Sequence, residues 1–188
     1  HWQRIGHPVT VSINVSAMQF QQSNFVERIA GALRSAALAP HLLELEMTES
    51  ILVKDANEAL GRLHALATLG VAMSIDDFGT GYSSLAYLKK FPISKLKIDR
   101  SFVSSVTTNE DDATIVKAII NLAHSLSMQV IAEGAETAEQ VEFLCLNKCD
   151  QVQGYFFSKP VSFDNLKKLL GQEDFVDRHI QSILAKSR

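Results

Sequence analysis

Two hydrophobic rhythms alternate along this chain. Short runs carry apolar residues at every second position, and longer stretches between them repeat apolar residues at three-and-four spacing. The short runs predict strands at residues 9–15, 42–48, 72–77, 95–99 and 129–133, with a weaker one at 151–154. The clearest helical stretch runs from about 111 to 126 on Ile115, Ile119, Leu122 and Leu126; Ala56, Leu60, Leu63 and Ala67 mark an earlier one. A last helix is expected near 162–170. It precedes a tail, 171–188, read as helical with Phe175, Ile180 and Leu184 on one face. Residues 1–170 thus read as one domain of six β-α units, and helical crossovers between successive strands imply a parallel sheet.

Six units are compatible with an open doubly wound sheet or with most of an eight-stranded barrel. Strands of an open parallel sheet, covered on both faces, tend to be apolar throughout. Here Val9, Val11, Ile13 and Val15 oppose Ser12 and Asn14, Leu43, Leu45 and Met47 oppose Glu44 and Glu46, and Met73 and Ile75 oppose Ser74 and Asp76. Leu96 and Ile98 likewise oppose Lys95 and Lys97. That alternation favours an α/β barrel of the TIM-like (β/α) kind, its apolar strand face against the helices and its polar face inward. An amphipathic sheet with one wet face is the plainer alternative, and the intervening helices, each needing a sheet to pack on, weigh against it.

Composition narrows the class. With 46% hydrophobic residues over 188 positions, the chain can bury a sizeable core. A net charge of -3 with scattered Lys and Arg argues against a nucleic-acid polymer as partner, although a small anion neutralised by metal ions stays compatible. Cys145 and Cys149, one helical turn apart with no second pair, read as reduced core or surface residues rather than a zinc site. No apolar run approaches the roughly 18 residues of a membrane span, which points to the cytoplasm. The chain opens at His1 rather than Met, so it is expected to be part of a longer protein whose preceding segments include sensory or membrane-anchoring ones.

The strand ends deliver Asn14, Glu46, Asp76 with Asp77, Lys97, Glu133 and Gln153, each group from a different unit. Active sites of (β/α) barrels lie at that face. Four carboxylates converging with one lysine raise one another's pKa unless cations compensate them. Oxygen donors including an Asn amide suit magnesium or manganese better than zinc or copper, and no histidine lies at these positions. The adjacent Asp76 and Asp77 suit a two-ion site in which one carboxylate bridges and its neighbour serves a single ion, which suggests phosphate-ester hydrolysis. Taken singly, Glu46 or Glu133 is a loop-edge carboxylate, Asp77 a turn former, Lys97 a snorkelling lysine and Gln153 a turn partner. Recurrence at one register of six strands carries the functional reading. The stretch from Gly79 through Ser84 reads as a tight β-α turn with a serine cap, or as a backbone nest for phosphate.

The residues Ser12-Ile-Asn14-Val-Ser16, Glu44-Leu-Glu46-Met-Thr-Glu49-Ser50 and Ile75-Asp76-Asp77-Phe-Gly-Thr-Gly81-Tyr-Ser-Ser84 closely resemble the EAL domain of bacterial cyclic di-GMP phosphodiesterases. So do Leu96-Lys97-Ile-Asp99-Arg100, Ile131-Ala-Glu133-Gly-Ala-Glu136-Thr137 and Gln153-Gly-Tyr-Phe-Phe-Ser-Lys159-Pro160, the match covering about 1–170. The resemblance implies a TIM-like barrel of the EAL type that hydrolyses cyclic di-GMP to linear pGpG with two magnesium or manganese ions and is inhibited by calcium. By position, Asn14, Glu46 and Asp76 would hold the first metal, with Asp76 bridging to a second bound by Asp77. Glu133 would bind or orient around that second ion and serve as general base. Lys97 would fix the attacking water or the phosphate, Gln153 would complete the site, and Glu49 would brace the loop after Asp77, which in the family couples the site to a dimer interface. A homodimer and attached sensory or GGDEF-type domains are expected.

The Glu-Ala-Leu segment that names the family is expected on a first strand upstream of His1, and with it the first one or two β-α units, carrying a metal-binding Glu and a substrate-binding Arg. A catalytically inactive cyclic di-GMP receptor is the alternative from another class. Degenerate members lose the Asp pair or the Glu ligands, which this chain keeps. An unrelated metal barrel acting on another phosphate or an enolisable substrate is a third reading, which the motif matches disfavour.

Overall fold

A computed structural model describes residues 8–53, 56–81 and 85–170. The expected tail at 171–188 and the turn residues Tyr82, Ser83 and Ser84 lie outside the described residues. Six strands are ordered as they occur in the chain. In chain order the elements are β1 (Val11–Asn14), α1 (Ala17–Phe20), α2 (Phe25–Ala36), β2 (Leu43–Thr48), α3 (Glu49–Val53), α4 (Ala56–Thr68), β3 (Ala72–Phe78) and α5 (Leu85–Leu88). Then come β4 (Lys95–Ile98), α6 (Arg100–Ser105), α7 (Glu110–Ser125), β5 (Gln129–Glu133), α8 (Ala138–Leu146), β6 (Gln151–Gln153) and α9 (Phe163–Leu170). The chain divides into two compact units, residues 1–97 with 123–129, and 98–122 with 130–188.

In the first unit, β1 pairs in parallel with β2 and β2 with β3, in a register that sets Asn14 beside Glu46 and Thr48 beside Asp76. Leu45, Met47, Leu63, Leu66, Met73, Ile75 and Leu96 are fully or almost fully buried. Each such side chain contributes about 1.5–3 kcal/mol by leaving water. The strand alternation therefore builds the packed face as expected, except at the start. The chain enters the sheet at Val11 rather than at position 9, and Val11 and Ile13 stay 43% and 40% exposed. β1 is an end strand of the sheet, so its apolar side chains have cover from one neighbouring strand only. Beyond β1 the backbone turns at Ser16, which accepts from the Gln19 amide while the Gln19 side chain accepts from the Ser16 amide, a capping box that starts α1. Arg62 of α4 then closes the end of α1 by donating to the carbonyls of Phe20 and Gln21 at 2.6 and 3.1 Å.

In the second unit β5 pairs in parallel with β6, Glu133 standing beside Gln153. Helix α7 runs close to its expected bounds, but its buried stripe is Val116, Ile119, Ile120 and Ala123, and Ile115 is exposed. The expected face was thus off by one residue, because a helix with apolar residues at both 115–116 and 119–120 permits two stripes about 100° apart. The two cysteines are also not one helical turn apart. Helix α8 ends at Leu146, and Lys148 at φ 62° turns the backbone so that Cys149 lies beyond the helix. Both thiols are free, as expected.

Candidate active site

The first unit brings four of the expected residues together. Lys97 Nζ lies 2.7 Å from Glu46 Oε2 and 3.1 Å from Asp76 Oδ1, and all three side chains are largely withdrawn from solvent. Asn14 sits beside Glu46 in the β1–β2 register. One ammonium thus holds two carboxylates whose mutual repulsion would otherwise spread them, and the trio keeps a net negative charge next to a neutral amide oxygen.

Consecutive strand residues point to opposite faces, so Asp76 and Asp77 could not both serve one site in a regular strand. Asp77 has φ 53°, in the left-handed region that Asp tolerates better than most residues, and its amide donates to Asp76 Oδ1 at 3.1 Å. The backbone therefore leaves strand alternation at Asp77. Thr80 then donates its hydroxyl to the Asp77 carbonyl at 2.8 Å, which makes this a tight turn.

Glu49 opens α3 and is buried. Its Oε1 accepts from the Gly79 amide at 3.3 Å, and a Cβ on Gly81 would fall 2.6 Å from its Oε2. The carboxylate thus fills the space under the loop that follows Asp77, and a larger residue at 81 would push against the Glu49 carboxylate.

One pair escaped the sequence reading. Lys95 Nζ meets the buried Glu44 Oε2 at 2.5 Å, and Glu44 Oε1 and the Ser74 hydroxyl are buried with no hydrogen-bond partner among the described residues. The signal was present, since Glu44 and Lys95 share the alternating face of Glu46 and Lys97, but nothing local distinguishes a buried lysine from a snorkelling one.

In the second unit Glu133 and Gln153 close their strands side by side, Glu133 half-buried and Gln153 exposed. The Ala135 amide donates to the Gln153 carbonyl at 3.2 Å, joining the two strand ends. Gln153 also lines a groove of about 820 Å³ with Cys145, Cys149, Tyr155 and Lys159. Burial pushes the Cys149 thiol up to about 11 and raises that of Cys145, so neither is a thiolate nucleophile near neutral pH.

Among the described residues no three His, Cys, Asp or Glu side chains are grouped closely enough to hold a metal ion by themselves. Glu46 and Asp76 are instead drawn onto Lys97. The donor chemistry nonetheless fits a hard cation: carboxylate and amide oxygens, excess negative charge, and no sulfur or imidazole.

The EAL domain family model matches residues 1–160. The bifunctional diguanylate cyclase/cyclic di-GMP phosphodiesterase MucR of Pseudomonas aeruginosa is 43% identical over 88% of this chain, which spans 24% of MucR. The cyclic di-GMP phosphodiesterase NbdA of the same organism is also 43% identical over 88% of this chain and 21% of its own length. This chain thus spans about a quarter or less of these two relatives. The solved structure of the MucR phosphodiesterase in complex with c-di-GMP superposes with a TM-score of 0.85 at 43% identity, over 88% of this chain and 67% of that one. The six strands and their helices are accordingly those of a TIM-like (β/α) barrel. Among the described residues no helix is long and apolar enough to cross a membrane.

Proposed function

This chain belongs to the EAL domain family, and we propose from that membership that it is a metal-dependent phosphodiesterase domain hydrolysing cyclic di-GMP to linear pGpG. The observation that supports the reading most directly is the Glu46–Lys97–Asp76 cluster beside Asn14, an anionic oxygen-donor site with its own buried cation. Relatives that cleave cyclic di-GMP, and a solved complex with it, supply the substrate class.

In this reading Asn14, Glu46, Asp76, Asp77 and Glu133 hold two magnesium or manganese ions. Such ions polarise a phosphodiester and lower the pKa of water. The chain's own residues do the rest. Lys97 keeps Glu46 and Asp76 aimed together and fixes the attacking water or the phosphate. Glu133 takes a proton from the attacking water as the water oxygen bonds to phosphorus, one P–O bond of the ring breaks, and the departing ribose oxygen takes its proton from solvent water. Gln153 hydrogen-bonds at the site's edge, and Glu49 keeps the loop after Asp77 in place. The parent is proposed to be a cytoplasmic-facing homodimer with sensory or GGDEF-type domains attached.

The test is incubation of the full-length parent with cyclic di-GMP and magnesium or manganese. Linear pGpG, absent with Glu46→Ala, supports the enzyme. Tight binding with no product makes the domain a receptor.

A further inference from the structure

Gln140 is 6% exposed, an unusual place for a free amide on the first turn of a helix. Its Oε1 accepts from the backbone amides of Glu136 and Thr137 at 2.7 and 3.0 Å, and its Nε2 donates to the Ser104 carbonyl, on α6, at 3.0 Å. Two N–H donors and one carbonyl fix which end of the amide points where. A capping box needs only the bond to the cap residue Thr137. The other two bonds do something further: they tie the stretch after Glu133 to α6.

The same stretch is held from its other side. Gly134 has φ 74°, and a Cβ there would lie 2.3 Å from Cγ of Arg100, the first residue of α6. The Arg100 stem therefore rests on the Gly134 backbone, and its Nη2 reaches Glu136 Oε1 at 2.6 Å. That ion pair is exposed and contributes little by itself. Buried Gln140 is the stronger of the two clamps.

We propose that Gln140 is a positioning residue for Glu133, holding the Gly134–Thr137 backbone against α6 so that the Glu133 carboxylate keeps one place at the strand end. The inference rests on the reading of Glu133 as the general base. It requires an amide specifically, because a glutamate could accept from both backbone N–H groups and cap the helix but has no donor for Ser104.

Three variants of the full-length parent test it. Gln140→Leu removes all three side-chain bonds, Gln140→Glu keeps the cap and sets a carboxylate oxygen against the Ser104 carbonyl in place of the tie to α6, and Thr137→Ala weakens the cap and keeps the tie. With cyclic di-GMP, both Gln140 variants are expected to lose about ten- to hundredfold in kcat with KM within about twofold, the size of effect that slight misplacement produces. Thr137→Ala is expected to lower Tm with kcat unchanged. Wild-type kcat in Gln140→Glu, or kcat falling in step with Tm across all three, overturns the proposal. Amide hydrogen exchange at Glu136 and Thr137, measured without substrate, is expected to accelerate in folded Gln140→Leu, and unchanged protection there also overturns it. If wild-type protein cleaves nothing, the phosphodiesterase reading fails while the exchange measurement still decides the clamp.

Discussion

Lys95 meets Glu44 just as Lys97 meets Glu46, two residues earlier on the same two strands and across the intervening β3. The lower pair is the more deeply buried on its acidic side, with Glu44 only 2% exposed and one carboxylate oxygen unpartnered among the described residues. Lys95→Met would strand a buried carboxylate and is expected to cost about 3–5 kcal/mol in urea denaturation. Adding Glu44→Leu should restore most of that loss, since well-packed apolar residues often replace a buried ion pair without penalty. A single-variant cost no larger than that of a surface lysine would show that the pair is solvated.

At the proposed metal site a divalent cation would compete with Lys97 for the negative charge of Glu46 and Asp76. Lys97→Met leaves Glu46 and Asp76 without their shared counter-ion, so the metal-free protein should be destabilised and manganese should raise Tm by more than it does in the wild type. Thermal unfolding with and without manganese measures this with no substrate present. Equal manganese shifts in the two proteins would remove these carboxylates from the ligand set.

Gly81→Ala places a methyl 2.6 Å from Glu49 Oε2, and either the loop after Asp77 or the buried carboxylate must yield. Destabilisation of about 1–3 kcal/mol is expected, together with a fall in cyclic di-GMP turnover. Glu49→Ala in the same chain should relieve the clash, so that the double variant is more stable than the sum of the single effects predicts.

Cys149 carries a pH signature. Its thiol is raised from an ordinary value near 9 to about 11, chiefly by burial, so between those limits the folded chain keeps a proton that the unfolded chain releases. This contribution is complete below about pH 9 and is lost as pH rises toward 11, at no more than about 1.4 kcal/mol per pH unit. Cys149→Ala should flatten the fall in stability across that window, read from denaturation midpoints.

Much of this architecture was legible as pattern. Strand bounds came within two residues, because alternation is local and each strand carries its own copy of it. The proposed site residues stand out through the same alternation at the strand ends, but they do not share one register: Asn14 pairs with Glu46, whereas Asp76 pairs with Thr48, two positions beyond Glu46. Pairings across sequence were not. Both lysine–glutamate contacts join residues 51 positions apart, and no local signal says which carboxylate a lysine will reach. The positive φ of Asp77 was hidden in an otherwise regular strand. Gln140 was not singled out at all, because its bond to Ser104 bridges 36 positions. The stripe on α7 was ambiguous in principle, since doublets of isoleucine and valine leave two faces equally apolar.

Asn14 lies two residues before the Ser16 cap of α1, Glu46 three before Glu49 at the start of α3, and Glu133 four before the Thr137 cap of α8. Strand end, turn and helix start are thus compressed into the same few residues, and one change there alters the chemistry and the local fold together. Such stretches tolerate neither insertion nor deletion, because a single added residue would rotate the side chain off its face while unseating the cap behind it. The freedom to vary lies on the outer faces of the helices, where a substitution meets only water.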